Sequence, residues 1–502
     1  MSQLSFIKAT RHAWRPVAAL VGVLLLLPAC TTEEIIFVER PFFDDPPAGA
    51  AGYMGYITSD PLDQNRTVCG ECHNTKANAW KTTAHADAWN GLQSSGGAQE
   101  FCEGCHTVNQ LGNTSTIEGG WLTTDDPRYY DVQCENCHGP GETHVNNPES
   151  SNIPLASLAV GVDLDSGCGE CHSGAHHPFV DEWAESPHSE VVASPSTRES
   201  CFPCHRGQGT LIAWGENANY VEKFSDEALP VVCGVCHDPH GEAMFEGQLR
   251  FPVNTTSSET HLCSKCHNRR PLPEGETSRG PHAPESGLLE GVAGWFPPGL
   301  DFQPGEIVAT HGSASNDRWC ATCHVVMHEI DDPSGGFVFN ATGHSFNPIP
   351  CVDEQGVPQP FPNECSLSPD ERSYVGCVDS GCHASEQVAA SALTAKSASI
   401  QRLVDELEAL LDQLPEGEVS RDPPYTVGDG ADFNLQLALH GNEDFGTNTV
   451  LGSTVHNPFL IEALLVASLD LVEDEYADIL PRVSGRDWEA ELKAVLQEAG
   501  VR

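Results

Sequence analysis

The motif Cys-x-x-Cys-His occurs eight times in this chain of 502 residues, and a ninth copy has a four-residue spacer. Numbered in chain order as motifs 1 to 9, they consist of Cys69, Cys72 and His73; Cys102, Cys105 and His106; Cys134, Cys137 and His138; Cys168, Cys171 and His172; Cys201, Cys204 and His205; Cys233, Cys236 and His237; Cys263, Cys266 and His267; Cys320, Cys323 and His324; and Cys377, Cys382 and His383. This signature attaches c-type haem: two thiols bond covalently to the porphyrin, and the adjacent histidine ligates the iron. The sequence therefore predicts haem c at motifs 1 to 8 and, through the longer spacer, at motif 9.

Paired cysteines also build zinc sites and disulfide frameworks. Neither use needs a histidine directly after every second cysteine, so the repeated histidine favours haem.

The chain has 21 cysteines, of which eighteen lie in the motifs. Cys30 has a separate role described below, which leaves Cys351 and Cys365 on either side of a proline-rich stretch. These two could close that stretch as a disulfide, which would contribute about 3 kcal/mol in the chain-entropy description. Alternatively, one of them replaces Cys377 as the partner of Cys382.

The spacing of the motifs bears on the fold. The first cysteines of motifs 1 to 7 follow one another at intervals of 30 to 34 residues, and the next two intervals are both 57 residues. A unit of about thirty residues is too short to bury a core alone, so the porphyrins must supply much of it. We expect a mostly α and irregular chain with a haem-filled core, short helices just after each motif, and little β-structure.

The number of histidines indicates which residue type provides the second axial ligand of the irons. Of 23 histidines, nine belong to the motifs and His12 to the N-terminal signal, which leaves thirteen. Methionine would raise the potential as an axial ligand, but beyond the signal only Met54, Met244 and Met327 remain. Most haems are therefore predicted to have two histidine ligands.

The predicted distal ligands are histidines near the motifs or in the two long gaps around motif 8. They are His85, His144, His177, His188, His240, His261, His282, His311, His328 and His344. His176 adjoins His177, so at most one of them is expected to ligate a given iron. His440 and His456 could cap the ninth haem or simply lie on helices.

Two segments carry a family resemblance. Residues 134–144, together with the upstream Trp-x-x-x-x-His pattern of Trp80 to His85 and Trp183 to His188, resemble the multihaem cytochromes around hydroxylamine oxidoreductase, octahaem reductase and the tetrahaem nitrification cytochromes. Residues 233–241 resemble the multihaem cytochromes with doubled Cys-x-x-Cys-His motifs. The resemblance covers roughly residues 65–385 and implies haems packed in stacked and perpendicular pairs.

The N-terminus is predicted to be a lipoprotein signal over residues 1–29. Lys8, Arg11 and Arg15 precede an apolar run at 17–27 that is too short for a comfortable membrane span. The run ends before Cys30, which would become the lipidated first residue; an ordinary signal peptide is the alternative. Resemblance to Gram-negative lipoproteins favours the outer membrane, at its periplasmic or external face.

We expect a flexible tether at 30–62, a multihaem domain at 63–385 and a helical domain at 386–502. In the last, apolar residues recur at helical spacing from Ile400 to Leu414, a second helix begins at Asn457 and Pro458, and a third covers 487–499. These helices are expected to form a bundle on the haem core. Homo-oligomer formation through them is the alternative.

The net charge of −47 disfavours nucleic acid and anionic membrane surfaces as partners. It serves either solubility or the attraction of a basic redox protein. The protein would contact the membrane only through its lipid anchor.

The leading functional prediction is electron transfer between redox protein donors and acceptors. The alternative is reduction of a small nitrogen or sulfur compound at one open haem, which needs acid–base groups beside it. Related reductases mark that haem with lysine in place of the motif histidine, and no motif here has this lysine. Hydroxylamine-type enzymes keep histidine and add a cross-linking tyrosine, for which Tyr129, Tyr130 and Tyr220 are available. A haem-dense filament subunit is a third reading.

Overall fold

The computed structural model describes residues 43–59, 65–160, 167–174, 176–243, 245–274, 279–360, 365–420, 425–440, 450–480 and 486–501. Residues from Phe43 to the C-terminus form one compact unit. The predicted signal, the lipidation site Cys30 and the tether up to residue 42 lie outside the described residues.

The described chain is mostly helical and irregular, as predicted. Its α-helices, numbered α1 to α18, are Asn74–Trp80, Ala88–Ser95, Glu103–His106, Trp121–Thr124, Cys134–His138, Glu142–Asn146, Phe179–Ala184, Phe202–His205, Gly207–Ala213, Cys233–Cys236, Glu285–Leu289, Cys320–His324, Val375–Asp379, Glu386–Leu411, Val427–Leu439, Leu451–His456, Pro458–Glu475 and Trp488–Glu498. Its 3₁₀ turns are Cys69–Glu71, Ala84–Asp87, Glu100–Cys102, Pro127–Tyr129, Ser150–Asn152, Cys168–Glu170, Pro187–Ser189, Pro195–Thr197, Glu246–Gln248 and Cys263–Lys265. Strands β1 (His328–Asp331) and β2 (Phe337–Ala341) pair antiparallel, with His328 opposite Ala341.

Most motifs themselves form a short helical turn, and the expected helix just after a motif is present at motifs 1, 5 and 9 as α1, α9 and α14. The histidine N–H donates to the carbonyl of the first cysteine, for example from His73 to Cys69 at 2.9 Å and from His267 to Cys263 at 2.9 Å. One turn of helix therefore places two thiols and an imidazole together, which is the local geometry that haem attachment needs.

Part of the predicted tether belongs to the core. Tyr53, Met54 and Tyr56 are almost fully buried. The Glu135 carboxylate of motif 3 accepts hydrogen bonds from the backbone N–H groups of Met54 at 2.9 Å and Gly55 at 2.7 Å, and its burial raises the pKa of that carboxyl to about 7. Apolar side chains and a buried acceptor thus fix residues 50–57, although glycine and proline around them suggested a flexible segment.

The C-terminal helices α14 to α18 pack around a large cluster of buried apolar side chains. The predicted helix around 400–414 is the second half of α14, the start at Asn457 and Pro458 agrees with α17, and the predicted third helix is α18. Helix α15 was not predicted. The cluster also includes Leu288, Phe302 and Ile307 from the haem region, so the helices and the motifs share one core.

The disulfide and the character of the helices bear on two further predictions from the sequence. Cys351 and Cys365 are joined as a disulfide, which leaves Cys377 and Cys382 free for motif 9. None of the helices in the described ranges has the length and apolar character that crossing a membrane requires.

Candidate haem sites

The motif histidines face second histidines across a gap of uniform width. The ring-centre distances are 6.4 Å for His73 with His144, 6.1 Å for His172 with His85, 6.3 Å for His138 with His240, 6.2 Å for His267 with His188, 6.0 Å for His205 with His282, 6.3 Å for His237 with His344, 6.3 Å for His324 with His456 and 6.3 Å for His383 with His311. Eight motifs therefore have a facing imidazole.

This gap fits one metal ion. A histidine nitrogen lies about 2 Å from a metal that it binds and about 1.1 Å from its own ring centre, so two rings on opposite sides of one metal have centres about 6.2 Å apart. Parallel rings stacked face to face in van der Waals contact would stand closer. The donor set and the spacing thus fit an iron held between two imidazoles at each pair.

His106 of motif 2 lies close enough to His177 for an electrostatic interaction. Burial lowers the pKa of His177, and the neighbouring charge of His106 lowers it further. The Nδ1 of His106 donates to the carbonyl of Ala88 at 3.0 Å. His177 is therefore the candidate second histidine for motif 2, while the other eight motif histidines have a facing ring.

Hydrogen bonds set the tautomer of many of these rings. The Nδ1–carbonyl distances are 2.8 Å for His138 with Pro154, 2.6 Å for His237 with Gly247, 2.8 Å for His324 with Phe346, 2.7 Å for His311 with Val455 and 2.7 Å for His456 with Gly452. Because a carbonyl only accepts, Nδ1 must carry the hydrogen, and Nε2 keeps its lone pair for a metal.

Burial also favours the neutral form of four of these rings. It lowers the pKa of His172, His324 and His344 to about 4 and that of His188 to about 3. Neutral imidazole is the form that ligates iron, so these sites are prepared for metal at neutral pH.

Two predicted distal candidates lie outside these pairs. His261 is fully buried against Trp319; its Nδ1 accepts from Cys263 N–H at 3.2 Å and its Nε2 lies 3.4 Å from the Arg318 carbonyl. Both nitrogens are thereby engaged. His328 lies on β1, and its buried Nδ1 has no hydrogen-bond partner among the described residues.

In the structure His456 faces a motif histidine. The sequence left open whether this residue ligates an iron or simply lies on a helix. The residue ends α16, far along the chain from His324, and only the packing of the C-terminal helices places the two rings together. His440, left open in the same way, instead accepts from Ala283 N–H through Nε2 at 3.2 Å. His176 stacks on Phe337.

These two C-terminal histidines provide a matched test. His456→Ala should convert one low-spin haem per molecule to high spin, because an axial imidazole is lost, whereas His440→Ala should leave all spin states unchanged. Low-temperature EPR with spin quantitation measures both. Equal behaviour of the two variants would contradict the pairing.

A structural repeat relates motifs 1 to 4 to motifs 4 to 7. Trp80 Nε1 donates to Val132 O at 2.9 Å, and Trp183 Nε1 donates to Val231 O at 2.9 Å. The next bonds also match, from Val132 N–H to His85 O at 3.0 Å and from Val231 N–H to the His188 carbonyl at 3.1 Å. Motif 4 is the last of the first set and the first of the second.

Sulfur atoms from different motifs lie next to one another in the same repeated pattern. Thiols of different motifs that lie close enough to interact are Cys69 with Cys134, Cys105 with Cys171, Cys168 with Cys233, Cys204 with Cys266, and Cys263 with Cys320. Backbone contacts agree: Cys105 Sγ lies 3.9 Å from Glu170 O, and Cys266 Sγ lies 3.9 Å from Pro203 O. Contacts 1–3 and 2–4 therefore recur as 4–6 and 5–7.

Three further thiol pairs are close enough to interact electrostatically and complete the order. They are Cys137 with Cys168, Cys236 with Cys263, and Cys323 with Cys377. Motifs 1, 3, 4, 6, 7, 8 and 9 thus form a continuous series, called the row below. Motif 2 branches from motif 4, and motif 5 branches from motif 7.

Repeated haem-attachment turns and paired imidazoles define a multihaem c-type cytochrome. Comparison with known proteins agrees: the family described as "Cytochrome c554 and c-prime" matches residues 68–139. The chain is 31% identical over 225 residues to cytochrome c-554 of Nitrosomonas europaea, which covers 39% of this chain and 83% of that protein. This chain belongs to the cytochrome c-554 family. No solved structure gives a significant match.

Proposed function

We propose that this cytochrome carries nine haem c groups, each closed by two histidines, and passes electrons along the row. The observation that carries the proposal is the facing of motif histidines and second histidines at 6.0 to 6.4 Å in eight pairs. His106 and His177 supply the ninth. Haem c supplies a one-electron redox couple when bound.

The protein residues have three tasks in this function. The paired imidazoles would hold the iron from both sides and leave no place for a substrate to bind it. Histidine in place of methionine as the second ligand would keep the potential low. The neighbouring thiols of motifs that adjoin in the row would place haem sites at short separation, which electron tunnelling requires.

The alternative reductase function finds less support. It needs one iron with an open position and acid–base groups nearby, whereas eight motif histidines have a facing second histidine and His177 is assigned to the ninth. The buried Tyr129 hydroxyl, one candidate for a cross-link, donates to the Tyr53 carbonyl at 2.7 Å. The geometry therefore favours conduction over catalysis.

Exogenous ligands and substrates test this choice directly. We expect neither carbon monoxide with the reduced protein nor cyanide with the oxidised protein to change the visible spectrum. We also expect no consumption of nitrite, hydroxylamine or sulfite, while a basic cytochrome c oxidises the reduced protein rapidly. Stoichiometric ligand binding at one haem, together with turnover of one of these compounds, would support the reductase.

We also propose that the protein is exported and anchored at the outer membrane through lipid on Cys30, facing the periplasm or the exterior. The basic start, the short apolar run and the position of Cys30 support this. Redox proteins with basic surfaces are the proposed partners because the net charge is −47. We propose no nucleic-acid partner. Measurement of the molecular size in solution tests whether the C-terminal helices form a homo-oligomer.

Lipidation has a simple readout. The mature protein should carry a lipid mass on its N-terminal Cys30, and Cys30→Ser should be released from membranes in soluble form. Intact mass and membrane fractionation measure this. A wild-type chain that begins elsewhere and carries no lipid would contradict the anchor.

A further inference from the structure

The motif histidine of motif 7 has an unusual neighbour. The ring of His267 faces His188 at 6.2 Å, and its Nδ1 lies 3.5 Å from Oε2 of Glu285. The nitrogen opposite to the one needed by iron therefore faces a carboxylate.

Other motif histidines use neutral acceptors at this position. His106, His138, His237 and His324 have Nδ1 bonded to backbone carbonyls. At 3.5 Å from His267 Nδ1, the Glu285 carboxylate places a full negative charge where those four histidines have a neutral carbonyl. The electrostatic environment of His267 therefore differs from that of these four.

Glu285 is built into its place by several contacts. It is the first residue of α11, and the next residue, Ser286, donates from N–H to the His267 carbonyl at 3.1 Å. The Ser286 hydroxyl donates to Ser264 Oγ, inside motif 7, at 2.7 Å. Helix α11 is thus fastened to the haem-attachment turn at two points.

The carboxylate itself is directed at the motif. Its Oε2 is shielded from solvent, makes no hydrogen bond among the described residues, and lies 3.5 Å from His267 Nδ1 as an ion-pair contact. Its Oε1 lies 3.6 Å from His440 Nε2. The Glu285 side chain is 22% exposed, so water screens its charge less than at the open surface.

We propose that Glu285 is a positioning residue that holds His267 through Nδ1 and lowers the reduction potential of the haem at motif 7. This rests on the proposed function, which places a haem between His267 and His188. A carboxylate acceptor makes the imidazole a more basic ligand, and a more basic ligand and a nearby anion both favour ferric iron.

Because of where motif 7 lies in the row, its reduction potential affects electron transfer along the row. Motif 7 touches motifs 5, 6 and 8 through its thiols, so it is the junction at which one branch leaves the row. A junction of lower potential stays oxidised when its neighbours are reduced. The centres before and after it would then fill as two separate pools.

The test compares Glu285→Gln and Glu285→Asp with the matched control Glu290→Gln. Glu290 lies just past α11 and accepts from Ser258 N–H at 2.9 Å and Ser258 Oγ at 2.8 Å, so it loses the same charge away from any motif histidine. Redox titrations followed by absorbance and EPR should show one component of Glu285→Gln at higher potential, by about tenfold in the oxidised-to-reduced ratio or about 59 mV. One low-spin signal should change its g values.

Glu285→Asp should remain nearer to wild type, and Glu290→Gln should match it. An unchanged titration of Glu285→Gln, or an equal shift in Glu290→Gln, would overturn the inference. Intact mass separates the two proposals: a wild-type protein without nine haems counts against the proposed function, whereas a haem missing only in Glu285→Gln shows a role in attachment and overturns the tuning role.

Discussion

Cys168→Ala combined with Cys171→Ala should slow electron transfer from motif 1 to motif 9 by orders of magnitude. The double substitution removes the haem of motif 4, the site shared by the two repeated sets. Motifs 3 and 6 touch motif 4 through Cys168. Because tunnelling rates fall exponentially with distance, the gap left in the row should be decisive.

The matched control removes a branch. Cys102→Ala with Cys105→Ala also deletes one haem, but motif 2 hangs from motif 4 and the row stays continuous. We expect this variant to transfer electrons from end to end at nearly the wild-type rate. Equal slowing of both double variants would contradict the order of motifs.

The measurement needs an electron source at one end and a reporter at the other. A photoreducing ruthenium label on Thr75→Cys, directly after motif 1, would inject electrons. His311→Ala would give the ninth haem a high-spin spectrum that distinguishes it from the rest. Flash photolysis then records the arrival time at motif 9 in each background.

Asn457→Ala should give a large loss of stability. The Asn457 side chain caps α17 by accepting from Leu460 N–H at 3.1 Å, and it donates to the Leu288 and Ile307 carbonyls at 2.8 Å each. It is fully buried. Losing one cap and leaving buried carbonyls short of a donor should lower the free energy of unfolding by roughly 3 kcal/mol.

A cap with a single bond provides the comparison. The Ser385 hydroxyl accepts from Val388 N–H at 3.3 Å and caps α14, so Ser385→Ala should cost only about 1 kcal/mol. Thermal unfolding followed by far-ultraviolet circular dichroism measures both. Similar losses would show that the two donated bonds of Asn457 contribute little. A further expected effect of Asn457→Ala is a disturbed spectrum of the haem at motif 8, because His456 is the preceding residue.

The fold class could be read from the sequence, and the haem-attachment motifs remain a prediction that their local geometry supports. Two cysteines and a histidine lie together within one helical turn, which needs no help from the rest of the chain. The same holds for the start of α17, where Asn457 and Pro458 mark a helix by their own chemistry.

The second histidines depend on tertiary packing and were harder to foresee. His144 and His240 lie a few residues after a motif, yet His144 faces motif 1 rather than the adjacent motif 3. His456 reaches His324 only through the packing of α14 to α18. Sequence distance to a motif therefore does not tell which iron a histidine serves.

Burial also decided features that composition obscured. Gly55 adopts a φ of 66°, and a side chain there would approach Arg128 O to 2.6 Å. The glycine thus marks a tightly packed place, although it suggested a flexible tether. His261 was a reasonable ligand candidate until its two nitrogens were found engaged with the backbone of Cys263 and Arg318.

Low-temperature EPR of the fully oxidised protein, with spins counted per polypeptide, tests the central claim most directly. Eight facing histidine pairs, with His177 assigned to His106 as the ninth, predict that all nine haems are low-spin and that no high-spin ferric signal is present. A stoichiometric high-spin haem, or a low-spin total clearly below nine, would contradict it.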